Sequence, residues 1–285
     1  MSKLKIAIQK SGRLNEDSLK LLKECGISID NGIDQLKASA SNFSLEVLFL
    51  RNSDIPQYLI DGVVDVAIIG ENLLIEQEKK LEIVEYLGFS KCRLSIATPK
   101  NFSYYSIKNL EGKKIATSYP NTLKRYLTKN NINADLHEIS GSVEIAPNIG
   151  LADAICDLVS SGNTLFKNGL EEKEVVLKSE ACLAVSPLIS AENKTVLNKL
   201  VFRIQSVLMA RKSKYILMNV PNDKIKIISS ILPVLKSPTI LPLAEEGWSS
   251  LHSVIDENKF WEVIDELKLN GAEGILIVPI EKMVL

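Results

Sequence analysis

The run Ala154–Val159 is apolar except for Asp157, and it passes directly into Ser160-Ser161-Gly162-Asn163-Thr164. A short buried strand that ends in small hydroxyl residues around a glycine directs several backbone N–H groups at one point. A helix starting at Thr164 would add its unpaired N–H groups and the positive end of its dipole. That is the chemistry of a phosphate cradle. Asp157, at the strand's end, would stand beside the anion. A carboxylate next to such a nest suits a ligand with vicinal hydroxyls as well, such as a ribose phosphate. The same residues are also good turn chemistry, with Gly162 or Asn163 supplying positive φ and Thr164 capping a helix. Asp153 and Asp157 weigh toward a site. Strand alternation places both on one face, and two carboxylates near a buried strand are costly unless something satisfies them. Glu144, upstream, is either a helix-start acid or a member of the same site.

Cations that could meet a polyanion lie elsewhere in the chain. Lys10 and Arg13 follow the first predicted strand, at the kind of strand-end crevice where α/β folds hold ligands. Gly12 between them permits close backbone approach, and Arg13 would bind phosphate oxygens in bidentate fashion. Arg51 and Arg93 stand at strand edges in similar positions. Glu71 and Asn72 follow another strand and would meet a base or a ribose. Each of these four could equally be a salt bridge or a cap. Tyr119 would stack or hydrogen-bond at a cleft, or simply pack. No general base stands out. His137 and His252 are far apart, and Cys156 has no histidine near it in sequence. Cys25, Cys92, Cys156 and Cys182 lack the paired spacing of zinc or redox motifs and read as small buried hydrophobes.

The elements that position these residues follow from the hydrophobic pattern. Leu4–Gln9, Leu45–Leu50 and Val64–Ile69 read as strands, with helices from about Glu16 to Glu24 and from Asp54-Ile55-Pro56. A second αβ unit begins near Arg93. Its strands are Leu94–Ala97, Lys114–Thr117, Leu136–Ile139, Ala154–Val159 and Val175–Leu177, with a helix from about Thr122 to Asn130. Leu183–Val185 looks like a return to the first unit, and Ser190–Arg211 like a long helix. Beyond it the predicted order is strand Tyr215–Val220, helix Asp223–Leu232 stopped by Pro233, strands Thr239–Leu243 and Ser249–Ile255, helix Lys259–Lys268 and strand Gly274–Pro279. That βαββαβ order is the ferredoxin-like unit. The expected fold is therefore α/β: lobe I from 1–92 with 180–211, lobe II from 93–179, and a small domain from 212–285.

At 285 residues, 46% hydrophobic and 24% charged, the chain is expected to form two or three globular domains. Its formal net charge of −1 excludes a general pull toward nucleic acid or anionic membrane, so any polyanion site is local. No stretch approaches the ~20 apolar residues that cross a bilayer. Lys3 and Lys5 interrupt the N-terminal segment, and a cytoplasmic location is expected.

Taken in order, several short stretches resemble one family along essentially the whole chain. They are Gln9-Lys10-Ser11-Gly12-Arg13-Leu14, Asp54-Ile55-Pro56, Asp61-Gly62-Val63-Val64-Asp65 and Ile68-Ile69-Gly70-Glu71-Asn72. They continue with Cys92–Pro99, Ile115–Pro120, the signature Glu144–Leu165 and Pro279-Ile280-Glu281-Lys282-Met283. The family is ATP phosphoribosyltransferase, long form. The resemblance implies two periplasmic-binding-protein-like lobes around a cleft, followed by a regulatory ferredoxin-like domain. It implies a reaction of ATP with 5-phosphoribosyl-1-pyrophosphate (PRPP), with Mg2+, and feedback inhibition by histidine. It also implies a homo-oligomer, a hexamer with a dimer as the alternative. By this resemblance Lys10, Arg13, Asp157 and Glu144 are catalytic. PRPP would lie on Asp153, Asp157 and Ser160 to Thr164, and ATP on Lys10, Gly12, Arg13, Arg51, Glu71, Asn72 and Arg93. Asp223, Thr239, Leu241, Ser253 and Ala272 would line the effector pocket, although Leu and Val residues of those strands would equally serve an oligomer interface. The residues alone leave one alternative from another class, a two-lobed receptor or effector-binding domain without catalysis.

Overall fold

The computed structural model describes residues 3–30, 36–232 and 237–284; the expected helix stop at Pro233 lies outside them. Two compact units divide the chain, Met1–Asn198 and Lys199–Leu285.

In the first unit, lobe I holds β1 (Leu4–Gln9), α1 (Arg13–Glu24), β2 (Lys37–Ser39), β3 (Leu45–Leu50), α2 (Ile55–Ile60), β4 (Val66–Gly70), α3 (Glu71–Glu76) and β5 (Glu82–Tyr86). Lobe II holds β6 (Cys92–Pro99), β7 (Lys114–Thr117), α4 (Pro120–Lys129), β8 (Asp135–Glu138), β9 (Ala154–Val159), α5 (Asn163–Lys167) and β10 (Leu170–Ser179). The chain returns to lobe I through β11 (Ala181–Val185) and continues into α6 (Ala191–Lys212). The sheet orders are β2-β3-β1-β4-β11-β5 and β10-β6-β9-β7-β8. Each sheet has a parallel run, β3-β1-β4 or β9-β7-β8, and an antiparallel crossing strand beside it. This is the expected arrangement of two α/β lobes, with the chain crossing between them more than once.

The central strands are apolar on both faces because helices cover them. Ile6, Ala7, Ile8, Ala67, Ile68 and Ile69 are fully buried. Where expectation and structure differ, edge strands explain most of it. The periodicity missed β2 and β5, and it found only Val175–Leu177 of a ten-residue β10. These strands carry charges along a solvated edge, so they lack the apolar run that marks a central strand. α1 begins at Arg13 rather than near Glu16. Gly12, at φ +87°, turns the chain so that its carbonyl accepts the Glu16 N–H.

The second unit continues from α6 into β12 (Ser213–Pro221), α7 (Ile225–Ile231), β13 (Thr239–Pro242), β14 (Trp248–Asp256), α8 (Glu257–Leu269) and β15 (Glu273–Pro279). Its antiparallel sheet runs β13-β14-β12-β15, the ferredoxin-like order. The expected helix from Asp223 divides into a 3-10 turn, Asn222–Lys224, and α7. Alternate residues of β12 and β14, including Ile216, Met218, Leu251 and Ile255, pack with Ile228, Phe260 and Leu267 into one core. Leu251 is fully buried at its centre. Leu251→Ala is expected to cost this unit about 3 kcal/mol, the usual scale for a buried leucine truncation. Denaturant unfolding followed by Trp248 and Trp261 fluorescence would report it as a lower midpoint.

Candidate active site

The loop after β9 turns at Gly162, whose φ of +81° is left-handed, and α5 starts at Asn163, one residue before the expected Thr164. The first-turn N–H groups of Asn163, Thr164 and Leu165 have no partner within the helix. A cavity of about 210 Å³ is lined here by Ser160, Ser161, Gly162, Thr164, Asp157 and Glu144, with Arg13 reaching in from lobe I; Asn163 is not part of its wall. The Arg13 guanidinium donates to Ser160 Oγ at 3.4 Å, across the two lobes. Asp157 is half-buried, and its Oδ1 accepts the Ser118 hydroxyl proton at 3.1 Å. Burial raises its pKa above the ordinary 3.8 and nearby Glu144 adds to that, while the Leu158 N–H and Ser118 oppose the rise. Glu144 lies in the 3-10 turn Val143–Ile145.

Asp153 does not join this group. Its carboxylate accepts the Lys114 N–H at 2.9 Å, at the start of β9. Strand alternation keeps Asp153 and Asp157 on one face, but four residues of strand separate them by roughly 13 Å. The need to satisfy Asp153 is met by a backbone amide.

Lys10 is exposed at the end of β1, its N–H bonded to the Leu50 carbonyl at 2.8 Å, so Lys10 and Arg51 end neighbouring parallel strands. Gly12 caps α1. A second cavity, about 460 Å³, is lined by Glu71, Lys91, Arg93, Ser160, Lys178 and Glu180, and so meets the first at Ser160. Arg93 is already engaged there. It forms a forked pair with Glu172 and donates to the Ser160 carbonyl at 3.1 Å, which anchors the loop from below. Glu172 is held below the usual carboxylate range, chiefly by that pair. Glu71 accepts from Tyr86 Oη at 2.8 Å, a bond that pushes the phenol up to about 12. Asn72 is buried; its N–H and Oδ1 meet Ser179 Oγ, and its amide donates to Tyr119 Oη at 2.9 Å. Tyr119 thus hydrogen-bonds between the lobes, and burial raises it to about 12.

In the second unit the five proposed effector residues do not share one surface. Thr239 and Leu241 pair with His252 and Ser250 on the open face of the sheet. Ser253 and Ala272 are buried on the helix side, and Asp223 is exposed in the 3-10 turn. A strand's two faces look opposite ways, so edge position alone could not group them. His252 bonds Tyr215 Oη and Ser250 Oγ, and His137 bonds Asp135. Cys25, Cys156 and Cys182 are buried as expected, and Cys92 is partly covered. Ser118, Lys91, Lys178, Glu76 and Glu172 were missed. Ser118 belongs to the Ile115–Pro120 segment, but nothing in its spacing pairs it with Asp157, a partner on another strand.

A two-lobed α/β cleft lined by a small-residue loop, a carboxylate and an opposing guanidinium has the make-up of an enzyme that handles a phosphate ester. The sequence matches the profile of the ATP phosphoribosyltransferase family over residues 51–206 and the C-terminal domain profile of the same family over residues 210–282. The ATP phosphoribosyltransferase of Cytophaga hutchinsonii is 60% identical over 281 residues, covering 99% of this chain and 98% of its own. That of Phocaeicola vulgatus is 54% identical, covering 99% and 100%. The solved ATP phosphoribosyl transferase (HisG:HisZ) complex from Thermotoga maritima superimposes with a TM-score of 0.63 at 28% identity, over 72% of this chain and 98% of that one. The chain belongs to the ATP phosphoribosyltransferase family, enzymes of histidine biosynthesis.

Proposed function

We propose that this chain condenses ATP with PRPP. Adenine N1 attacks C1 of the ribose, the C1–O bond breaks, and its electron pair leaves with pyrophosphate. One proton is lost from the adenine amino group in forming N1-(5-phosphoribosyl)-ATP. The observation that carries this reading is the junction of Asp157, Glu144, Ser160, Ser161, Gly162, Thr164 and Arg13 around one cavity. The loop amides and Thr164 take the 5-phosphate, and Asp157 takes the ribose hydroxyls. As positive charge develops on the ribose, the carboxylates of Asp157 and Glu144 stabilise it, while Arg13 and Lys10 face the departing pyrophosphate. The larger cavity, meeting the first at Ser160, suits the ATP. There Glu71 faces the base or ribose, Lys91 and Lys178 join the phosphate contacts, and Arg93 acts on the loop. Holding two polyanions in register supplies much of the acceleration.

Magnesium belongs to this reading as part of the substrate, carried on the pyrophosphate. Among the described residues no group of three or more His, Cys, Asp or Glu is placed to hold an ion. One or two carboxylates with retained water suit this ion, and Asp157 and Glu144 are the carboxylates on the smaller cavity. The C-terminal unit is read as regulatory, with histidine as inhibitor and the chain as a homo-oligomer, a hexamer or a dimer. A cytoplasmic setting fits; among the described residues no helix is long and apolar enough to cross a membrane. Purified protein mixed with ATP, PRPP and magnesium is expected to develop the ultraviolet band of an N1-substituted adenine and to release pyrophosphate, less so with histidine present. Release with adenine or orotate in place of ATP would overturn the choice of base. Binding of one small ligand with no turnover would instead favour a receptor.

A further inference from the structure

The two lobes are joined by a second grip, built on α3 of lobe I. Glu76 is only 8% exposed. One of its carboxylate oxygens accepts the Asn121 N–H at 2.8 Å; the other accepts the Thr122 N–H at 2.9 Å and the Thr122 hydroxyl at 2.6 Å. The Asn121 amide also donates to the Glu76 carbonyl at 3.1 Å. Asn72, one turn earlier on the same face of α3, donates to Tyr119 Oη. Arg125 closes the contact on its outer side, bonding Glu78 and the Ile75 carbonyl. A buried carboxylate is expensive unless donors surround it, and here every donor comes from the other lobe.

The gripped segment has a particular neighbour. Tyr119, Asn121 and Thr122 bracket Pro120 at the start of α4, and directly before them stands Ser118, whose hydroxyl donates to Asp157. We propose that Glu76 is a positioning residue for the phosphoribosyl site: it fixes the Ser118–Thr122 turn against lobe I, and through Ser118 it fixes the orientation of the Asp157 carboxylate toward the ribose. The proposal rests on Asp157 meeting the PRPP ribose. It adds that a lobe I residue outside both cavities described above sets the lobe II carboxylate. Asn72 holds the other side of the same turn, so α3 works as a two-point grip.

A double-mutant cycle on the full-length enzyme tests this. Glu76→Gln and Ser118→Ala are each expected to raise the PRPP KM about tenfold, with the ATP KM within about twofold of wild type. Because both act on the same carboxylate, adding Glu76→Gln to Ser118→Ala should cost less than about a further twofold. Ser118→Thr, which keeps the hydroxyl, should recover most of the loss. Additive effects of Glu76→Gln and Ser118→Ala, or equal rises in the ATP and PRPP KM, would overturn the proposal by making Glu76 a general structural support. If Glu76→Gln does not fold, Thr122→Val removes one of its donors and runs the same cycle with the same expected and contrary results. An Asp157→Asn enzyme with wild-type PRPP kinetics would remove the ribose reading itself and the proposal with it.

Discussion

Asp157→Asn is expected to reduce kcat/KM by about 10²- to 10³-fold, the scale seen when one preorganised electrostatic group is removed from a transition state. Asparagine keeps the shape and one acceptor but loses the negative charge proposed to stabilise the positive charge developing on the ribose. The fold should survive. Burial holds the Asp157 pKa above 3.8, so its ionised form is disfavoured in the native protein. The sign follows from proton linkage. A carboxyl whose folded pKa is raised contributes stability that is fully present below its unfolded pKa and is lost as pH rises through the folded value. Near pH 7 the charge is a net burden on the fold, and the asparagine variant should melt no lower than wild type. Activity runs the other way. It needs the carboxylate, so it should fall as pH drops through a pKa above 3.8, and the asparagine variant should lose that acid limb. Wild-type turnover from a folded Asp157→Asn protein would remove the assignment.

Thr164→Val should be the second large effect, raising the PRPP KM by about ten- to a hundredfold with little change in melting temperature. The side chains are nearly isosteric, and Thr164 is exposed on the cavity wall, so little packing is lost. What disappears is the hydroxyl proposed to meet the 5-phosphate, and hydrogen bonds to charged groups are worth about 1.5–3 kcal/mol. Initial rates at varied PRPP and saturating ATP would measure it. An unchanged PRPP KM would mean that the 5-phosphate lies elsewhere.

Much of this was readable before any coordinates. The buried run into Ser160–Thr164 marked a strand followed by a loop of small residues, and β9 appears with the expected bounds, Ala154–Val159. The βαββαβ order of the last third followed from period-two and helical patterns separated by turn residues. The solvated edges β2, β5 and most of β10 stayed hidden, because charges on an edge erase the apolar signal. Asp153 shows the limit at the site. Its face was right, but register gave its carboxylate a backbone amide of β7 as partner. Arg93 was read as an ATP contact or equally a salt bridge; its fork lies on Glu172, a partner on β10 that the sequence did not name.

Local pattern determined which residues carry charge, which segments bury themselves and where the loop of small residues falls, because each depends on neighbours a few positions apart. Tertiary structure alone decided that Arg13 would reach Ser160, that Ser118 would hold Asp157, and that Glu76 would bind the start of α4. Those meetings join residues 39 to 147 positions apart or 45 and 46 apart. The Arg13 and Glu76 meetings exist because two separately wound lobes face each other, and Ser118 meets Asp157 because β7 and β9 are neighbours in one sheet.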